Sequence, residues 1–259
     1  MTPENVDFFK LLKSVVREQS FKLELCPRAE PVVISCKQLS TLQLKNLIKT
    51  AVEDIPGQPS FLLEINKILI ESLNDETSVD FNIIDRLLFM LELRSHSLSP
   101  TKTYVNSTGE FEVNFLNIAN AIRKLFKDDP KLTEDKTATE GVITIKYGIP
   151  LVSTENLINE ELKKYNSDSE DLDSISKLLA DSFIYEIIKS VKTISIQDKA
   201  TLDLSNCNLK DRIELLEQLP ASLIQQIFDY VEKYKNVVKT GLIVNNSIID
   251  INASMFSLD

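Results

Sequence analysis

The stretch Val79-Asp-Phe-Asn-Ile-Ile-Asp-Arg-Leu-Leu-Phe-Met-Leu-Glu-Leu-Arg-Ser-His-Ser97 decides how the chain is read. Phe81, Ile84, Leu88 and Leu91 recur at helical spacing, and Ile83, Leu87 and Met90 form a second stripe beside them. A helix apolar over most of its circumference needs neighbours on several sides, which places this one in a core. Ser78 or Asp80 offers a cap for its start. Glu92 and Arg94 mark its expected return to solvent, before Ser97, Ser99 and Pro100 stop it.

Upstream, Phe8, Phe9, Leu11, Leu12, Val15 and Val16 alternate with Lys10, Lys13 and Arg17 as an amphipathic helix that could dock on this chain or on a partner. Phe21, Leu23 and Leu25 alternate with Lys22 and Glu24, and Val32 to Cys36 follows a proline-bounded turn, so two short strands are expected. A helix capped by Ser40 and Thr41 runs to Asp54, Pro56-Gly57 breaks it, and Ser60 opens another with Leu62, Ile65, Ile68, Leu69 and Leu73 inside.

Downstream of Pro100, Tyr104-Val105 and Phe111-Val113 flank a turn at Asn106 to Gly109, the pattern of a hairpin. A helix is expected from Leu116 to Phe126, a mobile polar loop from Lys131 to Gly141, and a strand from Val142 to Tyr147. Helices follow over Ser153 to Leu162 and Ile175 to Val191, separated by the acidic linker Asn166 to Asp173, with brief extended pieces around Ile194, Ile196, Leu202 and Leu204. Asn208 to Gln218 reads as a helix, and Pro220 starts another through Tyr234. The close reads as a hairpin, Val237 to Val244 against Ile248 to Ile251 around Asn245-Asn246, with the apolar tail Met255, Phe256 and Leu258. The expected fold is α+β: a mainly helical core with short antiparallel hairpins, including one near each terminus. It is organised as 1–100 and 101–259 or as one continuous domain.

Composition narrows the functional classes. Twenty-nine basic against thirty-nine acidic residues leave a net charge of −10, a field that repels nucleic acid and anionic membranes. Cys26, Cys36 and Cys207 are scattered and share no Cys-x-x-Cys spacing, so neither a disulfide framework nor a zinc site is indicated, and a reducing compartment is expected. No apolar run approaches the roughly 20 residues that span a bilayer. The five glycines leave little material for phosphate-cradling loops.

Local motifs carry no chemistry either. His96, the one histidine, lacks the second histidine or nearby cysteine that an activated nucleophile needs, and reads as a surface or loop residue. Ser174-Ile-Ser-Lys177 matches a penicillin-recognising pattern without its companions. Asn166, Asp168 and Glu170 mimic the first ligands of a calcium loop, but Asp171 replaces its glycine and Lys177 its closing glutamate. No catalytic, cofactor-binding or metal-ligating residue is therefore expected. The candidate partner anchors are Phe8, Phe9, Leu12 and Val16 on the N-terminal helix and Met255, Phe256 and Leu258 in the tail, with docking inside the chain as the alternative for each set.

Three stretches together resemble the baseplate-hub family of T-even-like contractile-tailed bacteriophages, which includes a hub subunit and a hub-assembly factor. They are the strand-turn-strand feeding a helix (Phe21 to Leu47), the acid and helix ending Leu93-Arg94-Ser-His-Ser97 (from Asp85), and Leu219-Pro220 leading through a helix to a hairpin and Phe256. Relatives often carry paired cysteines in the final hairpin and a glycine after the arginine-serine step. This chain has neither, so metal binding is not carried over. The resemblance implies a non-enzymatic structural component of the central hub, located in the virion tail baseplate and assembled in the host bacterial cytoplasm. The alternative is a hub assembly factor or chaperone that is not retained. The implied partners are other tail and baseplate hub proteins, with no nucleic acid, membrane, small-molecule substrate or cofactor.

Overall fold

We describe a computed structural model covering residues 20–28, 30–53, 60–73, 80–107, 109–165, 183–197 and 199–257. The chain order is β1 (Ser20–Glu24), β2 (Val33–Lys37), α1 (Thr41–Glu53), α2 (Ser60–Ser72), α3 (Ile83–Ser97), β3 (Thr101–Asn106), β4 (Gly109–Asn114), α4 (Phe115–Asp128), β5 (Lys136–Glu140), β6 (Ile143–Tyr147) and α5 (Val152–Tyr165). Then come α6 (described over 183–190), β7 (Val191–Ile196), β8 (Ala200–Asp203), α7 (Leu209–Glu217), α8 (Ala221–Gly241), β9 (Ile243–Val244) and β10 (Ser247–Ile248). This is an α+β fold, mainly helical, with small antiparallel sheets.

Asn82, and neither Ser78 nor Asp80, fixes where the central helix begins. Its side chain accepts from the amides of Ile84 and Asp85, while the Asp85 carboxylate accepts from the Asn82 amide, a reciprocal capping box. Ser40 and Gln43 make the same exchange at the start of α1. Within α3, Ile84, Leu88, Phe89, Met90, Leu91 and Leu93 are at most 2% exposed, so Ile84, Leu88, Leu91 and Met90 are core as expected, whereas Phe81, Ile83 and Leu87 are half-buried. The expected return to solvent at Glu92 and Arg94 is wrong: they are 5% and 4% exposed.

Around α3 the neighbours are α4 on one side, and α2 and β1 on others; α4 in turn packs on α8, and α8 on β5. One cluster of buried apolar residues runs from Phe21 through Leu88, Phe115, Ile145 and Tyr234 to Phe256, and so includes both halves of the sequence. Gly241 marks the closest approach of α8 to α4. A Cβ placed there would lie 2.5 Å from Ile122 Cγ1 and 3.4 Å from its Cα. Gly241→Ala is therefore expected to destabilise by about 1–3 kcal/mol, the range for overpacking a fitted contact. A denaturant midpoint equal to or above that of the wild type would show that the two helices can part freely.

Local sequence and structure disagree at two further places. The expected mobile loop at Lys131 to Gly141 holds a short 3-10 turn and strand β5, which opens the antiparallel meander β5-β6-β7-β8. On its inner face Ala138, Ile145 and Ile194 line up across the strands. On its outer face Thr139 pairs with Thr144 and Ser195 with Thr201 through their hydroxyls. Gly141, with φ 57°, makes the tight β5-β6 turn. The second disagreement is the close of the chain: α8 continues through Val237 to Gly241, seven residues past the expected end at Tyr234, so the last hairpin is only β9 and β10. Its Asn245-Asn246 turn, with φ 50° and 61°, is as expected. Helix α6 ends at residue 190, within one residue of the expected end near Val191, and Val191 opens β7.

Candidate functional site

Helix α3 concentrates the buried charge of the described chain. Asp85 accepts from the Cys26 amide at 2.8 Å and from the Arg28 guanidinium, which also reaches the Asp80 carbonyl at 3.2 Å. One turn of chemistry thus caps α3 and pins the segment after β1. Arg86 pairs with Glu155 of α5 and touches Asn66 of α2, whose amide donates to Asn156 at 2.5 Å. Glu92 pairs with Arg123 of α4, and Arg123 also donates to the Glu24 carbonyl from Nε at 2.9 Å and Nη2 at 2.6 Å. Among the described residues Arg94 meets no carboxylate: it donates to the carbonyls of Met255 and Ser99, each at 2.6 Å, and its Cζ lies 5.5 Å from the centre of the Phe115 ring.

These contacts decide what the charges can do. Burial pushes the Asp85 and Glu92 carboxyls up; for Asp85 the Asn82 amide and Arg28 oppose that push, and for Glu92 Arg123 does. A carboxylate enclosed by a guanidinium and backbone amides is occupied on its accepting side, which suits a joint between elements better than proton transfer to a substrate. His96, exposed at the end of α3, stacks on Phe21 with ring centres 4.8 Å apart. Ser97 accepts from the Leu39 amide at 2.9 Å. Among the described residues no group of three or more His, Cys, Asp or Glu side chains is placed to hold a metal, and no helix is long and apolar enough to cross a membrane.

The candidate anchors divide. Met255 and Phe256 are both 0% exposed, and Phe256 packs against Phe61 with ring centres 6.4 Å apart. Of the two readings of the tail, docking inside the chain is the one these residues adopt, and they are not an open partner surface. Phe8, Phe9, Leu12, Val16 and Leu258 lie outside the described residues, as do the Asn166 and Ser174 motifs.

The thiols sort by environment. Burial pushes Cys26 far above the ordinary thiol range and Cys36 up to about 12. Cys207 is half-exposed beside the turn after β8. Native protein is expected to yield one reactive thiol of its three cysteines to an aqueous aromatic disulfide, and the other two only in denaturant. Rapid reaction of two or more without denaturant would contradict the burial of Cys26 and Cys36.

A cavity of about 230 Å³ opens between α2, α3 and α8, walled by Leu62, Ile83, Leu87, Met90, Val238 and Leu242. Arg86 and Lys235 also line it, and no carboxylate does. Lys235 reaches Glu186 of α6 at 2.7 Å, and Lys189 reaches the same carboxylate at 2.8 Å. Burial raises the Glu186 carboxyl, but its two lysines outweigh that and hold it below the usual carboxylate range. Sequence spacing gave no sign of this arrangement. No family model, curated protein or solved structure matches the chain.

Proposed function

We propose that the chain is a non-enzymatic tail protein of a contractile-tailed bacteriophage, a structural component of the baseplate central hub. One observation carries this reading. The three stretches that resemble the hub family are far apart in sequence, yet the residues of the Leu93-to-Ser97 motif join them: Arg94 holds the Met255 carbonyl, His96 stacks on Phe21, and Ser97 takes the Leu39 amide. The motif residues thus act as joints of one continuous unit. The internal pairing of Asp85, Arg86 and Glu92 gives them a part in the fold, and function on this reading is carried by surfaces that meet other hub proteins. A net charge of −10 suits a protein that selects protein partners by shape and excludes nucleic acid by charge.

The second reading, an assembly factor that leaves before the particle is complete, shares the same fold and partners. Quantitative mass spectrometry of purified particles, with affinity purification from infected cells, separates the two. A fixed copy number per particle supports the structural role, whereas capture with hub subunits but absence from particles supports the assembly factor. Absence from both preparations would remove the baseplate reading.

A further inference from the structure

We propose that the cavity between α2, α3 and α8 binds a small amphipathic anion: a medium-length apolar chain ending in a carboxylate that sits against Lys235. Size comes first. An engineered cavity of about 150 Å³ accepts benzene, so by proportion 230 Å³ takes roughly nine or ten heavy atoms. The walls are mainly apolar side chains, from α2, α3 and α8 with Leu242 and Ile251 beside them and Tyr234 as the one aromatic ring, and they suit a saturated chain.

Charge supplies the other half of the argument. On a chain of net charge −10, the charged side chains lining this cavity are both cations. Arg86 is answered by Glu155. Lys235 is answered only in part, because Glu186 is shared between Lys235 and Lys189, two ammonium groups for one carboxylate. Among the described residues this leaves one positive charge in excess beside the cavity. A neutral chain would use the walls alone, a cation would be repelled, and an anion uses walls and mouth together.

The test compares octanoate, octanol and octylamine on the full chain, read by calorimetric titration and by ligand-induced shift in melting temperature. Saturable binding with octanoate about threefold to fivefold tighter than octanol, the increment of a solvent-screened ion pair, and octylamine weakest, is the expected order. Lys235→Met keeps the stem and removes the charge. It should abolish the preference for octanoate while leaving octanol unchanged; the Lys235 side chain is 42% exposed, so the fold tolerates it. Leu87→Trp or Val238→Phe, which fill the cavity, should block both ligands. The proposal is overturned if the wild-type chain binds octanol as tightly as octanoate or binds neither. It is also overturned if Lys235→Met keeps the preference, or if a folded cavity-filling variant binds as before.

Discussion

Replacing Arg123 by methionine is expected to lower the unfolding free energy by about 3–5 kcal/mol, the cost of breaking a buried ion pair from one side. The change does more than remove a charge. It leaves Glu92, 5% exposed, without its guanidinium partner, and takes both donors from the Glu24 carbonyl at the end of β1. The loss should depend on pH with a definite sign. Burial already raises the Glu92 carboxyl above its ordinary 4.5, with Arg123 opposing that push, so the variant's carboxyl lies higher still. A carboxyl whose folded pKa exceeds its unfolded one binds more protons in the native state, and stability then falls as pH rises between the two values. The deficit of Arg123→Met should therefore be greatest at neutral and alkaline pH and shrink as pH falls toward the unfolded value. Urea midpoints across that range check both size and sign. A loss below about 0.5 kcal/mol, as at ordinary surface sites, would mean that the pair is solvated.

Phe256→Ala should cost a similar amount, about 3–5 kcal/mol, because it empties a fully enclosed ring site. The ring faces Phe61 of α2, and the 3-10 turn that carries it, Ala253–Phe256, packs on α1. Its neighbour Met255 supplies the carbonyl held by Arg94. Removing the tail from Ser254 onward should consequently lower the melting temperature steeply and promote aggregation, since Ala253 and the face of α1 lose their cover. A truncated chain that melts like the full one would place the tail outside the cooperative unit.

What the sequence revealed follows the range of the interactions. Ile84, Leu88 and Leu91 were legible as core because helical periodicity is local, and Asn208 and Ser40 were legible as helix starts for the same reason. The cap of α3 was open to reading in Asn82-x-x-Asp85, but Phe81 belongs to the same apolar stripe, so the periodicity alone sets the helix start before it, at Ser78 or Asp80. Strand β5 was hidden because Ala138 is the one apolar residue in Lys136-Thr-Ala-Thr-Glu140; its partner strand and α8 supply the burial. Val237, Val238 and Thr240 look like strand residues, yet tertiary packing keeps them helical up to the contact of Gly241 with Ile122. The ion pairs of α3 were the least legible. Their partners stand 31, 57 and 69 residues away, and an isolated Glu92 or Arg94 reads by default as surface.

The structural role of those charges is tested most directly by a double-mutant cycle on Glu92→Leu and Arg123→Met. Each single change should be strongly destabilising, while the double variant recovers part of the loss, giving a coupling of about 1–3 kcal/mol. Losses that simply add, with coupling near zero, would contradict the account of α3 as the charged joint between β1, α4 and the rest of the core.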